Sequence, residues 1–491
     1  MSAAPVFLAI DLGAESGRAV LGRWEQGRVG LQEIHRFRNE PVQLPSGLHW
    51  DILGLFREVK RGLALAAQAA PDLASIGIDA WGVDYGLLDS TGALLGVPQH
   101  YRDSRTDNVP ERAFARVSRQ EIYATTGIQF MQINTLYQLL SMEGSPQLGA
   151  ADTLLTIPDL LNYWLTGERR AEYTIASTTQ LLNARSSDWA HDLLGRLGLP
   201  TSLFPPIIQP GTVLGELVPE VVTEVRLAAR MHVAATASHD TAAAVVAIPA
   251  AESEDVAYIS SGTWSLVGAE VEVPVLTPEA LESNFTNEGG FGGKIRLLKN
   301  VMGLWLLQEC RSTWAREGRD LGYDELSRLA AEAPAGGPLV DPDDPRFLPP
   351  GDMPARIRQY CRETGQLEPN EPGEVARCVL ESLALKYRWV LERLRGLTGR
   401  QFSTIHVVGG GARNDLLCRF TAGAAGLPVL AGPAEATALG NILVQAYAHD
   451  VVGSLGEIRA ASRASSEVRR YEPEGDWKKA WQRFETILRG G

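Results

Sequence analysis

Two stretches of the chain share one pattern, and that pattern narrows the folds open to it. Residues 6–24 (VFLAIDLGAESGRAVLGRW) read as an apolar run, a glycine-bearing turn at Gly13–Gly17 and a second apolar run. Residues 255–273 (DVAYISSGTWSLVGAEVEV) repeat the shape around Ser260-Ser261-Gly262-Thr263. Alternation of apolar and polar positions after each turn predicts strand–turn–strand rather than strand–turn–helix. A dinucleotide fold needs its glycines between a strand and a helix, so the first turn argues against one. Gly17 and Gly262 stand 245 residues apart in a chain of 491, which points to an internal duplication. A single core does not extend over such a length, so two domains are expected, at 1–245 and 246–491.

Strand and helix patterns alternate along the rest, which predicts an α/β protein. Residues 75–89 read as a strand pair around Trp81-Gly82. Helical patterns follow at 109–124, 134–144 and 157–166, the last closed by Gly167. The proline- and glycine-rich residues 198–219 read as a surface crossing, and 241–248 as a helix. In the second half, 301–316 reads as an amphipathic helix and 333–356 as an exposed loop. Pro372-Gly373 opens a long helix with apolar residues at 375, 379, 383, 387, 390 and 394. Then come a strand at 404–408, Gly409-Gly410-Gly411, a helix opened by Asn414 or Asp415, and another from Pro433 to about 447.

Several polar residues stand where these turns make chemistry possible. Asp11 ends the first strand just before the turn; a carboxylate there either eases turn entry or holds a hydrated magnesium ion over phosphates. Ser238-His239-Asp240-Thr241 precedes an Ala-rich helix. Asp240 or Ser238 could cap that helix, and a helix start also favours an ionised carboxylate, the form a general base requires. His239 is a sugar-binding or a core histidine on equal terms. Trp81-Gly82-Val83-Asp84 suits a sugar, although a core tryptophan is the simpler account of Trp81. Gly409–Gly411 admits a flat ligand to the backbone, as an adenosine site or a dinucleotide loop would. Asn300 and Gln308 flank the apolar Val301–Leu307 segment, a place where polar residues are more often exposed than ligating.

Composition removes other classes. The chain is 45% apolar and 21% charged with a net charge of −13, an ordinary soluble balance that argues against nucleic acid or anionic membrane as partner. The apolar run Pro5–Ile10 is halted by Asp11 and is too short for a signal peptide. No stretch is long and apolar enough to span a membrane. The four cysteines, Cys310, Cys361, Cys378 and Cys418, form no CxxC pair and no disulfide framework, so a cytoplasmic protein is expected, with a Cys361–Cys378 contact left open.

Taken together, Ile10–Arg18, Trp81–Tyr85, Tyr101–Asp103, Ser238–Thr241, Ser260–Leu266, Asn287–Gly290, Asn300–Trp305 and Gly409–Gly411 resemble the FGGY carbohydrate kinases. The resemblance runs from about residue 6 to 450. It implies two actin-like (RNase H-like) ATPase domains with a central cleft, the first binding the sugar and the second ATP. Asp240 falls on the family's catalytic base. Ala14, Glu15, Ser16, Gly17, Arg18, Thr263, Asn300, Gln308, Gly410 and Gly411 fall on ATP contacts. Gly82, His239, Asp240 and Thr241 fall on substrate contacts, and Asp11 on a magnesium-proximal aspartate that acts through water. Glu15 departs from the family loop, which has serine there. The partners implied are ATP with Mg2+ and a small ketose; the loop Ala14–Arg18 and the segment Asn300–Trp305 favour L-rhamnulose, phosphorylated at its 1-hydroxyl, over L-fuculose. A monomer or small homo-oligomer is expected. The rival from another class is a sugar-independent actin-like ATPase, which would leave Asp240 and the Trp81-Gly82 segment without a task.

Overall fold

A computed structural model describes residues 5–227, 231–251 and 254–490. The chain divides into two compact units. Unit 1 comprises Met1–Glu252, Glu270–Leu297 and Ala436–Ser466; unit 2 comprises Ser253–Ala269, Leu298–Glu435 and Glu467–Gly491.

Unit 1 is built on a six-stranded sheet. Its strands are β1 (Val6–Leu12), β2 (Ser16–Glu25), β3 (Arg28–Arg38), β4 (Leu73–Ala80), β5 (Thr212–Glu216) and β6 (His232–Ala235), in the order β5-β6-β4-β1-β2-β3. The hairpin β1–β2 is antiparallel, β4 runs parallel to β1 and to β6, and β5 closes the edge antiparallel. Every residue of β1 is buried, as expected of a central strand covered on both faces.

Unit 2 repeats this plan. Its strands β7 (Val256–Ser261), β8 (Trp264–Val271), β9 (Ile295–Met302), β10 (Thr404–Val408), β11 (Val429–Ala431) and β12 (Arg469–Tyr471) follow the order β9-β8-β7-β10-β11-β12, and a seventh strand, Thr286–Gly289, pairs beside β9 at the edge. Again the opening hairpin is antiparallel, its first strand pairs parallel with β10, β10 pairs parallel with β11, and an antiparallel strand lies at the edge. The duplication inferred from the two turns is thus a duplication of whole sheets.

Five helices matter below: α1 (Asp240–Val246), α2 (Trp305–Arg316), α3 (Pro372–Thr398), α4 (Asp415–Ala425) and α5 (Ala436–Ala448). The α3 helix follows its sequence closely. A capping box between Glu371 and Glu374 satisfies its first N–H groups, Pro372 stands at the first position, and Gly399 closes it with φ +69°. Its predicted apolar stripe, residues 375, 379, 383, 387, 390 and 394, is buried throughout. Asn414 caps α4 by accepting from the Leu417 N–H.

Six expectations need correction. Residues 75–89 do not form a strand pair: β4 joins the large sheet, whereas Tyr85–Leu88 pairs with Thr153–Thr156. The reading 109–124 is two helices, Val109–Arg116 and Arg119–Thr126, the second restarted by a Ser118 cap. Residues 212–216 are the edge strand β5, tolerant of glycine because the register shifts there. Val301 and Met302 end β9, and α2 starts at Trp305. Residues 333–356 are not an exposed loop: Leu339, Val340, Phe347 and Met353 are fully buried, so the turn residues route the chain through the core. The last predicted helix begins at Ala436, three residues after Pro433. Among the described residues, no helix is long and apolar enough to cross a membrane.

Candidate active site

Parallel pairing sets the spacing of the acidic groups. In the β1–β4 register Asp11 stands opposite Asp79, and one residue on Ala80 bridges to His239 with its N–H on the Ser238 carbonyl at 2.9 Å. Asp11, Asp79 and Asp240 therefore gather where three segments of unit 1 end. Burial, then the Asp11 charge, pushes the Asp79 carboxyl well above the usual carboxylate range. Asn441 on α5 donates to Asp79 Oδ2 at 2.6 Å, and the buried Oδ1 has no partner. Asp79 was missed in the sequence, because an Asp within an apolar strand carries no motif; its weight comes from register with Asp11.

Asp240 is the first residue of α1, and His239 precedes it as the cap position without a side-chain cap bond. A helix start alone would hold this carboxylate ionised. Its surroundings act the other way: burial first, and the Asp11 charge, raise its pKa, opposed by His239. Although 30% of the side chain is open, the dense protein around it still penalises the charge. A carboxylate with raised proton affinity accepts a proton more readily than an ordinary one.

The hairpin tip at 13–17 is held by short bonds. Gly13 N–H donates to the Ser16 carbonyl at 2.9 Å, and Asn39 donates through its side chain to the Gly13 carbonyl and through its backbone to that of Glu15. Gly17 is required by packing: a Cβ would lie 2.3 Å from the Phe37 ring. Glu15, the departure from the family loop, is exposed, with Ala14 and Ser16 half-buried beside it. The Arg18 guanidinium pairs with the Asp11 carboxylate.

Glu172 holds the segment that carries Asp240. Fully buried, it accepts from Thr174 N at 2.9 Å, Thr174 Oγ1 at 2.6 Å, Ile175 N at 3.1 Å and Ser238 N at 3.1 Å, and Thr174 Oγ1 in turn accepts from His239 N. Burial pushes its carboxyl up from 4.5 to about 7, against those hydrogen bonds. An acid whose folded pKa is raised contributes its stability below the unfolded value and loses it as pH rises through the folded one. Relative to Glu172→Gln, the wild-type protein should therefore lose about 3 kcal/mol between pH 4.5 and pH 7, read from urea midpoints. Parallel pH profiles for the two proteins would contradict this.

Gly82 is half-buried against Thr178, whose Oγ1 would lie 3.0 Å from a Cβ. The next residue, Val83, has φ +71°, a left-handed conformation that is costly for a β-branched side chain and is commonest at functional sites. It is held there by Thr135 Oγ1 and Gln138 Nε2, which donate to its carbonyl. Trp81 is a core residue, 5% exposed, with its indole N–H on Asp84. Trp50, which carried no signal in the sequence, lies with its ring 4.1 Å from both Trp81, tilted, and His100, stacked, and also donates to Asp84.

In unit 2 the other turns meet. The Thr263 carbonyl accepts from Gly303 N and Trp305 N, both at 3.1 Å, which ties the Ser-Ser-Gly-Thr turn to the start of α2. Gln308 lies one turn into α2, and its buried Oε1 has no partner. Gly411 packs on the same turn so closely that a Cβ would lie 2.0 Å from Ser261 Oγ, and Gly409 has φ +82°. Asn300 is half-buried on β9. Thus Asp11, the 14–18 tip and the 239–241 segment gather in unit 1 with Gly82 nearby in sequence to β4, while Thr263, Gln308, Gly410 and Gly411 sit on adjoining turns of unit 2. Cys361 and Cys378 are free and buried; their thiols are hydrogen-bond partners, which with burial raises Cys378. Among the described residues no group of three or more His, Cys, Asp or Glu could hold a metal by itself.

Comparison with known proteins adds the family. The family models described as "FGGY family of carbohydrate kinases, N-terminal domain" and "C-terminal domain" match residues 6–247 and 257–449. A rhamnulokinase of Bacteroides thetaiotaomicron is 46% identical over 487 residues, covering 98% of this chain and 99% of that protein. A rhamnulokinase of Enterococcus faecalis is 45% identical, covering 93% and 91%. Among solved structures, gluconate kinase from Lactobacillus acidophilus superposes with a TM-score of 0.80 at 19% identity, covering 99% and 97% of the two chains. Plasmodium falciparum glycerol kinase with ADP gives 0.76 at 17%, covering 99% and 97% of the two chains. At such identities the likeness shows the fold, which is the two-domain actin-like α/β fold that the motifs implied.

Proposed function

The chain belongs to the FGGY family of carbohydrate kinases, and we propose that it transfers the γ-phosphoryl group of ATP to the 1-hydroxyl of L-rhamnulose. Identity of 46% to a rhamnulokinase over nearly the full length of both chains carries the choice of ketose. Asp240 takes the proton of the 1-hydroxyl as the oxygen attacks the γ-phosphorus and ADP leaves. Its raised proton affinity favours that role. His239, Thr241 and Gly82 orient the ketose. The 14–18 tip meets the phosphates with its N–H groups, and Arg18 does so by exchanging its Asp11 partner for phosphate. Thr263, Asn300, Gln308, Gly410 and Gly411 hold the nucleotide, the glycines letting it lie against the backbone.

The residues present fit a hydrated magnesium ion. Asp79 has an orphaned buried oxygen and stands in register opposite Asp11, whose charge raises it, an arrangement that a cation relieves. Asp11, through water, would hold it together with phosphate oxygens, since magnesium keeps several waters. Bound there, it supplies neutralisation of the charge on the transferred phosphoryl group. The cytoplasm, which supplies ATP and keeps thiols reduced, is the proposed setting.

Release of ADP from ATP–magnesium tests this against L-rhamnulose, L-fuculose, L- and D-xylulose, L- and D-ribulose and glycerol. The rate should be highest with L-rhamnulose. A preference for L-fuculose or a pentulose would move the specificity and keep the kinase. Turnover indifferent to every sugar would replace this reading with the sugar-independent ATPase.

A further inference from the structure

Behind Asp240 lies a chain of buried charged side chains whose geometry decides which oxygen of the base is free. Arg296, on the part of β9 that belongs to unit 1, has no exposed surface. Its Nε donates to the Gly289 carbonyl at 2.8 Å. Its Nη2 lies 3.1 Å from Glu288 Oε2 and 3.1 Å from His239 Nδ1, while Nη1 is buried without a partner. Glu288 Oε2 is farther from His239 Nδ1, at 3.4 Å. On its other side His239 places Nε2 3.5 Å from Asp240 Oδ1.

A guanidinium has five donors, no acceptor and does not deprotonate in proteins. The imidazole nitrogen that faces it must therefore be the acceptor, and in a neutral imidazole the proton then sits on the other nitrogen. We infer that Arg296 is a positioning residue that fixes His239 as the Nε2–H tautomer, so that His239 donates towards Oδ1 of Asp240 and leaves Oδ2 to take the substrate proton. The same oxygen Oδ1 already accepts from Thr241 N at 2.6 Å and Thr241 Oγ1 at 3.0 Å. Two hydrogen bonds thus end on Oδ1, with His239 Nε2 approaching it at 3.5 Å, and a carboxylate oxygen so loaded is the weaker base of the two. Without Arg296, Glu288 is the group nearest Nδ1, and it is an acceptor. The tautomer would then invert to Nδ1–H, a bare Nε2 would face the carboxylate, and the two lone pairs would repel. Glu288 also neutralises the buried guanidinium, which alone would be costly.

The inference rests on Asp240 being the base, but its first readout does not require turnover. In protein labelled with 15N-histidine, and with the resonance identified by its loss in His239→Asn, His239 should show the Nε2–H pattern in the wild type. Arg296→Met should convert it to Nδ1–H and lower kcat about 10-fold, with the KM for ATP held within twofold. Arg296→Lys, which restores a donor, should recover the Nε2–H form and most of the rate. Glu288→Gln, with Arg296 in place, should keep the Nε2–H form; this variant and Arg296→Lys carry the test if Arg296→Met does not fold. A wild-type Nδ1–H tautomer, or the Nε2–H form persisting in folded Arg296→Met, would overturn the inference. Absence of ketose-dependent turnover with the tautomer as expected would instead fault the assigned reaction.

Discussion

Asp240→Asn should lower turnover about 10²–10⁴-fold, the usual contribution of a positioned general base. The amide preserves the size of the side chain and keeps an oxygen for the Thr241 N–H and Oγ1–H that now bond Oδ1, so the start of α1 should survive. What it lacks is the capacity to take a proton. ADP release at saturating ketose measures the loss, and calorimetric titration with ATP–magnesium should show affinity within a few-fold of wild type, since the turns of unit 2 proposed to hold the nucleotide are untouched. Unchanged turnover in this variant would remove Asp240 from the mechanism and with it the role of its raised proton affinity.

The second large effect comes from a residue that touches no substrate. Gly440→Ala should destabilise the protein by about 3 kcal/mol or more, because the added Cβ would fall 1.8 Å from the Ala243 carbonyl oxygen. The obstacle is backbone, which cannot swing aside as a side chain would. Helix α5 meets α1 there without a side chain between them, and α1 carries Asp240. The thermal midpoint should fall by several degrees and the activity of the folded fraction should fall with it, as α1 is displaced. Gly396→Ala is the matched control. It lies in the last turn of α3 with nothing within 4 Å of the added methyl, so it should be neutral or stabilising by up to about 1 kcal/mol. Equal behaviour of the two variants would show that the close approach does not govern stability.

What was legible in the sequence is what local chemistry encodes. The two glycine turns, the capping box and stripe of α3, and the Asn414 cap can each be read from a few neighbouring residues, and the doubled turn was enough to anticipate a doubled sheet. The illegible parts depend on partners distant in sequence. Asp79 is one acidic residue in an apolar strand until register sets it opposite Asp11 and Asn441 reaches it from 362 positions away. Glu172 reads as an ordinary glutamate between an arginine-bearing turn and a short helix, yet it accepts the N–H of Ser238, 66 residues on. Residues 333–356 misled for the opposite reason: proline, glycine and aspartate report turns faithfully and say nothing about burial, and Leu339 and Phe347 among them are core. Trp81 was correctly weighed as a core residue, because its indole N–H is tied to Asp84.

The stitching of α5 into the first sheet bears on how the molecule comes into being on the ribosome. Gln445 donates to the Leu8 carbonyl and accepts from Ser75, while Asn441 donates to Gly77 and Asp79. A nascent chain that has emerged only as far as residue 252 holds Asp11, Asp79 and Asp240 but lacks both amides that fasten the strands bearing the first two. Roughly nine-tenths of translation must pass before those clasps exist. Unit 1 is first in the message yet waits for its segment Ala436–Ser466, so a stalled or clipped product stopping short of residue 441 carries the acidic cluster without the means to set it.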